Sequence, residues 1–121
     1  MKTIKNVEDL VGETITKING GFVGSEEIEF VLQERESHFL YYEHDCCASC
    51  DVNDIIGNLD DLLNTPLLMA EEVDGTIPDQ DPNNDESYTW TFYKFATIKG
   101  YVTIRWYGSS NGYYSESVSF R

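Results

Sequence analysis

Residues 87–107, SYTWTFYKFATIKGYVTIRWY, constrain the fold more than any other stretch of this chain. Two runs dense in Tyr, Trp, Phe, Thr, Ile and Val flank Lys99-Gly100, which is the pattern of a β-hairpin. A two-residue turn at Lys99-Gly100 sets Phe95 opposite Ile104, Tyr93 opposite Trp106 and Thr97 opposite Val102 on one face. The other face then carries Trp90, Phe92, Lys94, Ala96, Tyr101, Thr103, Arg105 and Tyr107, a mixed set suited to a half-covered sheet.

The chain before the hairpin reads as shorter strands. Residues 6–12 form a capped turn, with Asn6 as cap, Glu8 and Asp9 in the first turn and Gly12 as the stop. Residues 13–19, 26–33 and 37–44 read as three strands of an antiparallel meander; Ile28, Phe30 and Leu32 alternate clearly in the second. Residues 51–64, DVNDIIGNLDDLLN, place Ile55, Ile56, Leu59, Leu62 and Leu63 at helical spacing. Gly57 interrupts that stripe, so a strand over 52–56 followed by a helix over 58–63, capped by Asn58, is an equal reading. Residues 65–73 return as a strand with Leu67 and Met69 alternating, and 113–120 as a last strand with Tyr114, Val118 and Phe120 on one side. The expected fold is α+β: mostly antiparallel sheet with one or two short helices, in a single compact domain over residues 1–121. A polar, acidic loop over residues 74–86 belongs to that domain.

Charge is the other unusual feature. The chain has 22 acidic and eight basic residues, for a net charge of −14. Residues 36–93 hold 14 of the acids and no Lys or Arg; outside them eight acids balance eight bases. The whole net charge therefore belongs to one block of 58 residues. Such a surface repels nucleic acid and membrane phosphates and attracts a basic protein surface or cations. The acids expected to face a partner are Glu43, Asp45, Asp51, Asp54, Asp60, Asp61, Glu71, Glu72 and Asp74. Tyr41, Tyr42, Tyr107, Tyr113 and Tyr114 are aromatic anchors if exposed and core if not. The N-terminal MKTIKNVEDLVG carries charges where a signal peptide needs an apolar centre, and no apolar run approaches a membrane span. The cytoplasm is the expected location.

Two stretches could ligate metal. His44, Cys46, Cys47 and Cys50 offer zinc-type donors, but all four fall within seven residues, whereas zinc is usually held by two separated pairs. Cysteine nucleophilic chemistry with His44 as base would need a positive neighbour to lower the thiol pKa, and this region has none besides the histidines. Asp79, Asp81, Asn83 and Asp85 place oxygens at alternate positions, as in the opening of a calcium loop; the twelfth position, where that loop needs Glu, is Trp90. No Walker loop, dinucleotide fingerprint, G-x-S-x-G or H-E-x-x-H occurs.

The segments YYEHDCCASCDVNDIIGNLDDLLNTPLLMAEE and SYTWTFYKFATIKGYVTIRWYGSSNGYYSES resemble a family of small uncharacterised proteins of phages and bacteria, a domain of unknown function. The resemblance covers roughly residues 38–120, and Asp-Cys-Cys and YKFATIKGYVTIRWYG are its most specific parts. It implies a phage or mobile-element setting, hence a host cytoplasm, and supplies no activity. The expected function is that of a non-enzymatic acidic binding protein without a cofactor. It would inhibit a host nucleic-acid-handling or defence protein by imitating nucleic acid on its basic surface. The alternative is a small zinc- or calcium-binding structural or regulatory domain.

Overall fold

A computed structural model describes residues 3–44, 48–75, 87–110 and 116–121. Among the described residues there are eight strands: β1 (Ile15–Asn19), β2 (Glu27–Leu32), β3 (His38–Tyr42), β4 (Ser49–Ile56), β5 (Met69–Gly75), β6 (Ser87–Thr97), β7 (Gly100–Ser110) and β8 (Val118–Phe120). They form two antiparallel sheets of four strands each, in the orders β1-β2-β3-β8 and β4-β7-β6-β5. The helical part of the α+β expectation shrinks to two single 3-10 turns, η1 (Val7–Leu10) and η2 (Leu59–Leu62). The fold is thus nearly all antiparallel sheet.

The two sheets bury one common core. Ile28, Phe30, Leu32, Leu40 and Tyr42 come from the first, and Val52, Tyr93, Phe95, Val102, Ile104 and Trp106 from the second. Strand alternation explains this division: β3 buries every second residue, and β2 does the same from Ile28 to Leu32. The Phe30 and Phe95 rings meet across the layers with centroids 5.5 Å apart. At one corner the sheets are also tied by backbone, where Val52 N–H donates to Ser25 C=O and Gly24 N–H to Val52 C=O.

The long hairpin has the expected faces but a different turn. The loop is Ile98-Lys99, closed by the pair Thr97 and Gly100, so Phe95 faces Val102 and Tyr93 faces Ile104. The shift is two residues, which keeps every side chain on its own face. Neither turn residue takes positive φ; instead the Thr97 hydroxyl accepts from Lys99 N–H and donates to the Asp61 carbonyl. Gly100 serves packing, because a Cβ there would stand 2.7 Å from Asp61 Oδ2.

The helical reading of 51–64 gives way to its alternative. β4 runs to Ile56, and Gly57 then adopts φ +106 with its α-carbon against the Tyr101 carbonyl, which ends any helical stripe. Asn58 caps η2 by accepting from Asp60 N–H at 3.0 Å. Asn6 caps η1 with Asp9 in a reciprocal capping box. The strand expected over 65–73 begins only at Met69 and runs to Gly75, so of the alternating pair Leu67 and Met69 only Met69 lies on the ladder, while Leu67 is buried ahead of it.

Candidate functional site

The acid block does not fold into a single patch. Asp51 and Asp54 lie on β4, whereas Glu71, Glu72 and Asp74 lie on β5. These strands are the two edges of one sheet, separated by β7 and β6, or about 14 Å at the usual strand spacing. Asp60 and Asp61 sit on η2, and exposed Glu43 follows β3. Asp45 lies outside the described residues. Edge strands commonly carry charge because it blocks pairing with other chains, and both edges here obey that rule.

Of the β4 acids, Asp54 is partly neutralised. Asp54 accepts from Ile55 N–H, and its Oδ2 is 3.7 Å from Arg105 Nη2. Burial and then Glu26 raise the pKa of Asp51. On β5, Glu71 faces Lys94 across the strands, whereas Glu72 has the acids Asp74 and Glu8 beside it. Glu72 accepts from the Tyr93 hydroxyl at 3.0 Å, while its backbone N–H donates to Glu8 Oε1 at 3.2 Å. Burial, Asp74 and Glu8 raise the Glu72 pKa against that hydroxyl's lowering effect. Glu72 and Asp74 open onto a groove of about 370 Å³, walled by Tyr88, Thr89 and Thr91 of β6 and by Ser117 and Val118. A second groove, of about 490 Å³, runs between β1 and η2, where Ile18, Ile55, Leu59 and Leu63 line it beside Asp60.

The zinc-type donors divide. His44 is exposed, with Nε2 2.9 Å from Glu26 Oε2 and its ring against Tyr42. Cys50 faces the core at 1% exposure, and burial pushes its thiol up to about 12, reinforced by Asp51, Glu116 and Glu26. That is opposite to what a nucleophile or a thiolate ligand needs. Cys46, Cys47, Asp79, Asp81, Asn83 and Asp85 lie outside the described residues. No group of three His, Cys, Asp or Glu among the described residues could hold a metal ion.

Three acids outside the block belong to these surroundings: Glu8, Glu26 and the buried Glu116, whose Oε1 accepts from the Ser110 hydroxyl. Their proximity comes from contacts between elements distant in the chain, which linear charge counting does not register. Of the tyrosines named as anchors, Tyr42 is core at 4% exposure. Tyr41 lies under the Arg121 guanidinium, 4.5 Å from ring to cation, and Tyr107 stacks with Tyr88 and meets Trp90 at a tilt. Tyr113 and Tyr114 lie outside the described residues. Arg105 covers Trp90 at 5.0 Å, so the outer face of the second sheet joins a cation to an aromatic cluster.

The described residues thus make a small antiparallel β protein with acidic sheet edges and open grooves, and among them no helix is long and apolar enough to cross a membrane. The chain belongs to the family described as a domain of unknown function, DUF7448, which matches residues 8–120. No curated protein and no solved structure matches it.

Proposed function

We propose that this chain is a non-enzymatic acidic binding protein of phage or mobile-element origin. It acts in the host cytoplasm by docking on the basic surface of a nucleic-acid-handling or defence protein. The observation that carries this reading is the 58-residue block with 14 acids and no base. Most of its described members sit on strands, on a capped 3-10 turn or at a strand end, which fixes the backbone that carries them. Charges fixed on a rigid frame steer association with a basic channel and can occupy phosphate positions there. Acids on both edges of one sheet suit a channel that grips the protein from two sides.

The test is capture of host proteins on the immobilised chain at about 50 mM and about 500 mM salt, with and without competing DNA or RNA. The expected outcome is a nucleic-acid-handling partner released by salt and displaced by nucleic acid. Binding indifferent to both would refute the mimicry.

A further inference from the structure

At the turn end of the hairpin, the outer face of the second sheet is apolar and open. Ile56 is 55% exposed and Tyr101 51% exposed. Ile56 pairs with Thr103, one same-face step along β7 from Tyr101. Tyr101 pairs with Ala96, and Ala96 with Met69, so the apolar row continues across the other two strands. Ile98 in the turn is 83% exposed. Leu68, 64% exposed, reaches the same end through its N–H bond to the Ala96 carbonyl. Single exposed hydrophobics need no explanation, but Ile56 on β4, Tyr101 on β7, Ile98 in the turn and Leu68 just ahead of β5, gathered at one end of the sheet, mark a contact surface.

We infer that this patch, centred on Ile56 and Tyr101 and flanked by Ile98 and Leu68, is where an apolar anchor of a basic protein partner docks. The inference rests on the acidic-binder reading for the sign of the partner's charge and adds the place and kind of contact. Charge selects the occupant. A second copy would bring another −14 against this one, and phosphate surfaces are repelled in the same way. Locally, Lys94 is matched across the strands by Glu71, and Lys99 stands beside a turn packed against Asp61, with Asp60 next to it. An aromatic and aliphatic centre with a charged rim is the usual anatomy of a protein interface.

The patch is also held ready. Thr97 ties the turn to η2 through the Asp61 carbonyl, and Gly57 presses against the Tyr101 carbonyl, so little order has to be gained on binding. It lies at the far end of the hairpin from Ser87, about 33 Å along β6 at the usual rise per residue.

The experiment titrates the full ¹⁵N-labelled chain with two synthetic peptides of equal positive charge, one alternating Lys with Leu and the other Lys with Ser. The expected result is that only the Lys/Leu peptide still binds at about 500 mM salt. Its shifts should map to Leu68, Ile98 and Tyr101, and I98S and Y101S should each weaken it at least about tenfold with unchanged melting temperature. Both positions are exposed, so neither variant should unfold the chain. Equal binding of the two peptides, shifts elsewhere, or neutral variants would overturn the patch and leave the acidic reading standing. Failure of both peptides even at low salt would overturn both. Sedimentation showing a dimer that Y101S dissolves would replace the basic partner by a second copy.

Discussion

The Glu72 carboxyl sits among like charges. Burial, then Asp74 and Glu8, lift its pKa above the ordinary glutamate value, and the Tyr93 hydroxyl only partly offsets them. A raised folded-state pKa means that the native chain keeps this proton to higher pH than the unfolded chain does. Stability from this residue therefore falls as pH rises from the unfolded value through the folded one, and the penalty remains above it. Glu72→Gln keeps an acceptor for Tyr93 and removes the charge. It should stabilise the protein by a few tenths of a kcal/mol at about pH 7, kept small by solvent screening, and by nothing measurable at about pH 4. Urea midpoints at the two pH values check this; a loss of stability at neutral pH would mean that the charge is compensated. Asp74 is visible two residues away, but the rest of this environment is not announced around position 72. Glu8 is 64 positions away and arrives only because η1 packs beside β5.

At the scale of elements, what could be read from the chain depended on whether the determining contacts were local. The faces of β6 and β7 follow from alternation, and the Asn6 and Asn58 caps follow from side chains that bond their own neighbours. The turn did not follow. Lys99-Gly100 resembles a hairpin signal, yet Gly100 pairs with Thr97 outside the two-residue turn and faces the Asp61 side chain of a different element. Residues 51–64 are ambiguous for a related reason. Their apolar spacing fits a helix, and pairing of β4 with β7 overrides it through a ladder running from Ser49 to Ile56. The division of the acids between two edges was equally hidden, because it requires the strand order β4-β7-β6-β5. The Thr97 hydroxyl is the joint between hairpin and η2, accepting from one element and donating to the other. Thr97→Val keeps the shape and removes both bonds, leaving a polar group on each side unpaired. A cost of about 1–3 kcal/mol is expected by chemical denaturation, with faster amide exchange at Lys99. Unchanged exchange there would show that the turn holds itself.

At the scale of the whole molecule, a net charge of −14 acts against compaction, since every acid added to the folded surface repels the rest. Screening should therefore stabilise the fold. Thermal unfolding followed by circular dichroism should show the melting temperature rising between about 10 mM and about 500 mM sodium chloride. A falling melting temperature would mean that pairs such as Arg35 with Glu13 outweigh the repulsion.

The pairing of β8 with β3 has a consequence for synthesis. β3 ends at Tyr42, but its partner spans Val118–Phe120. A ribosome adding about 5–20 residues per second takes roughly 4–16 seconds to travel between them. Throughout that interval β1, β2 and β3 can form a sheet whose β3 edge stays unpaired. An open strand edge invites pairing with another nascent chain. For those seconds on the polysome, the fate of the protein is decided by competition between its own unborn C-terminal strand and its neighbours.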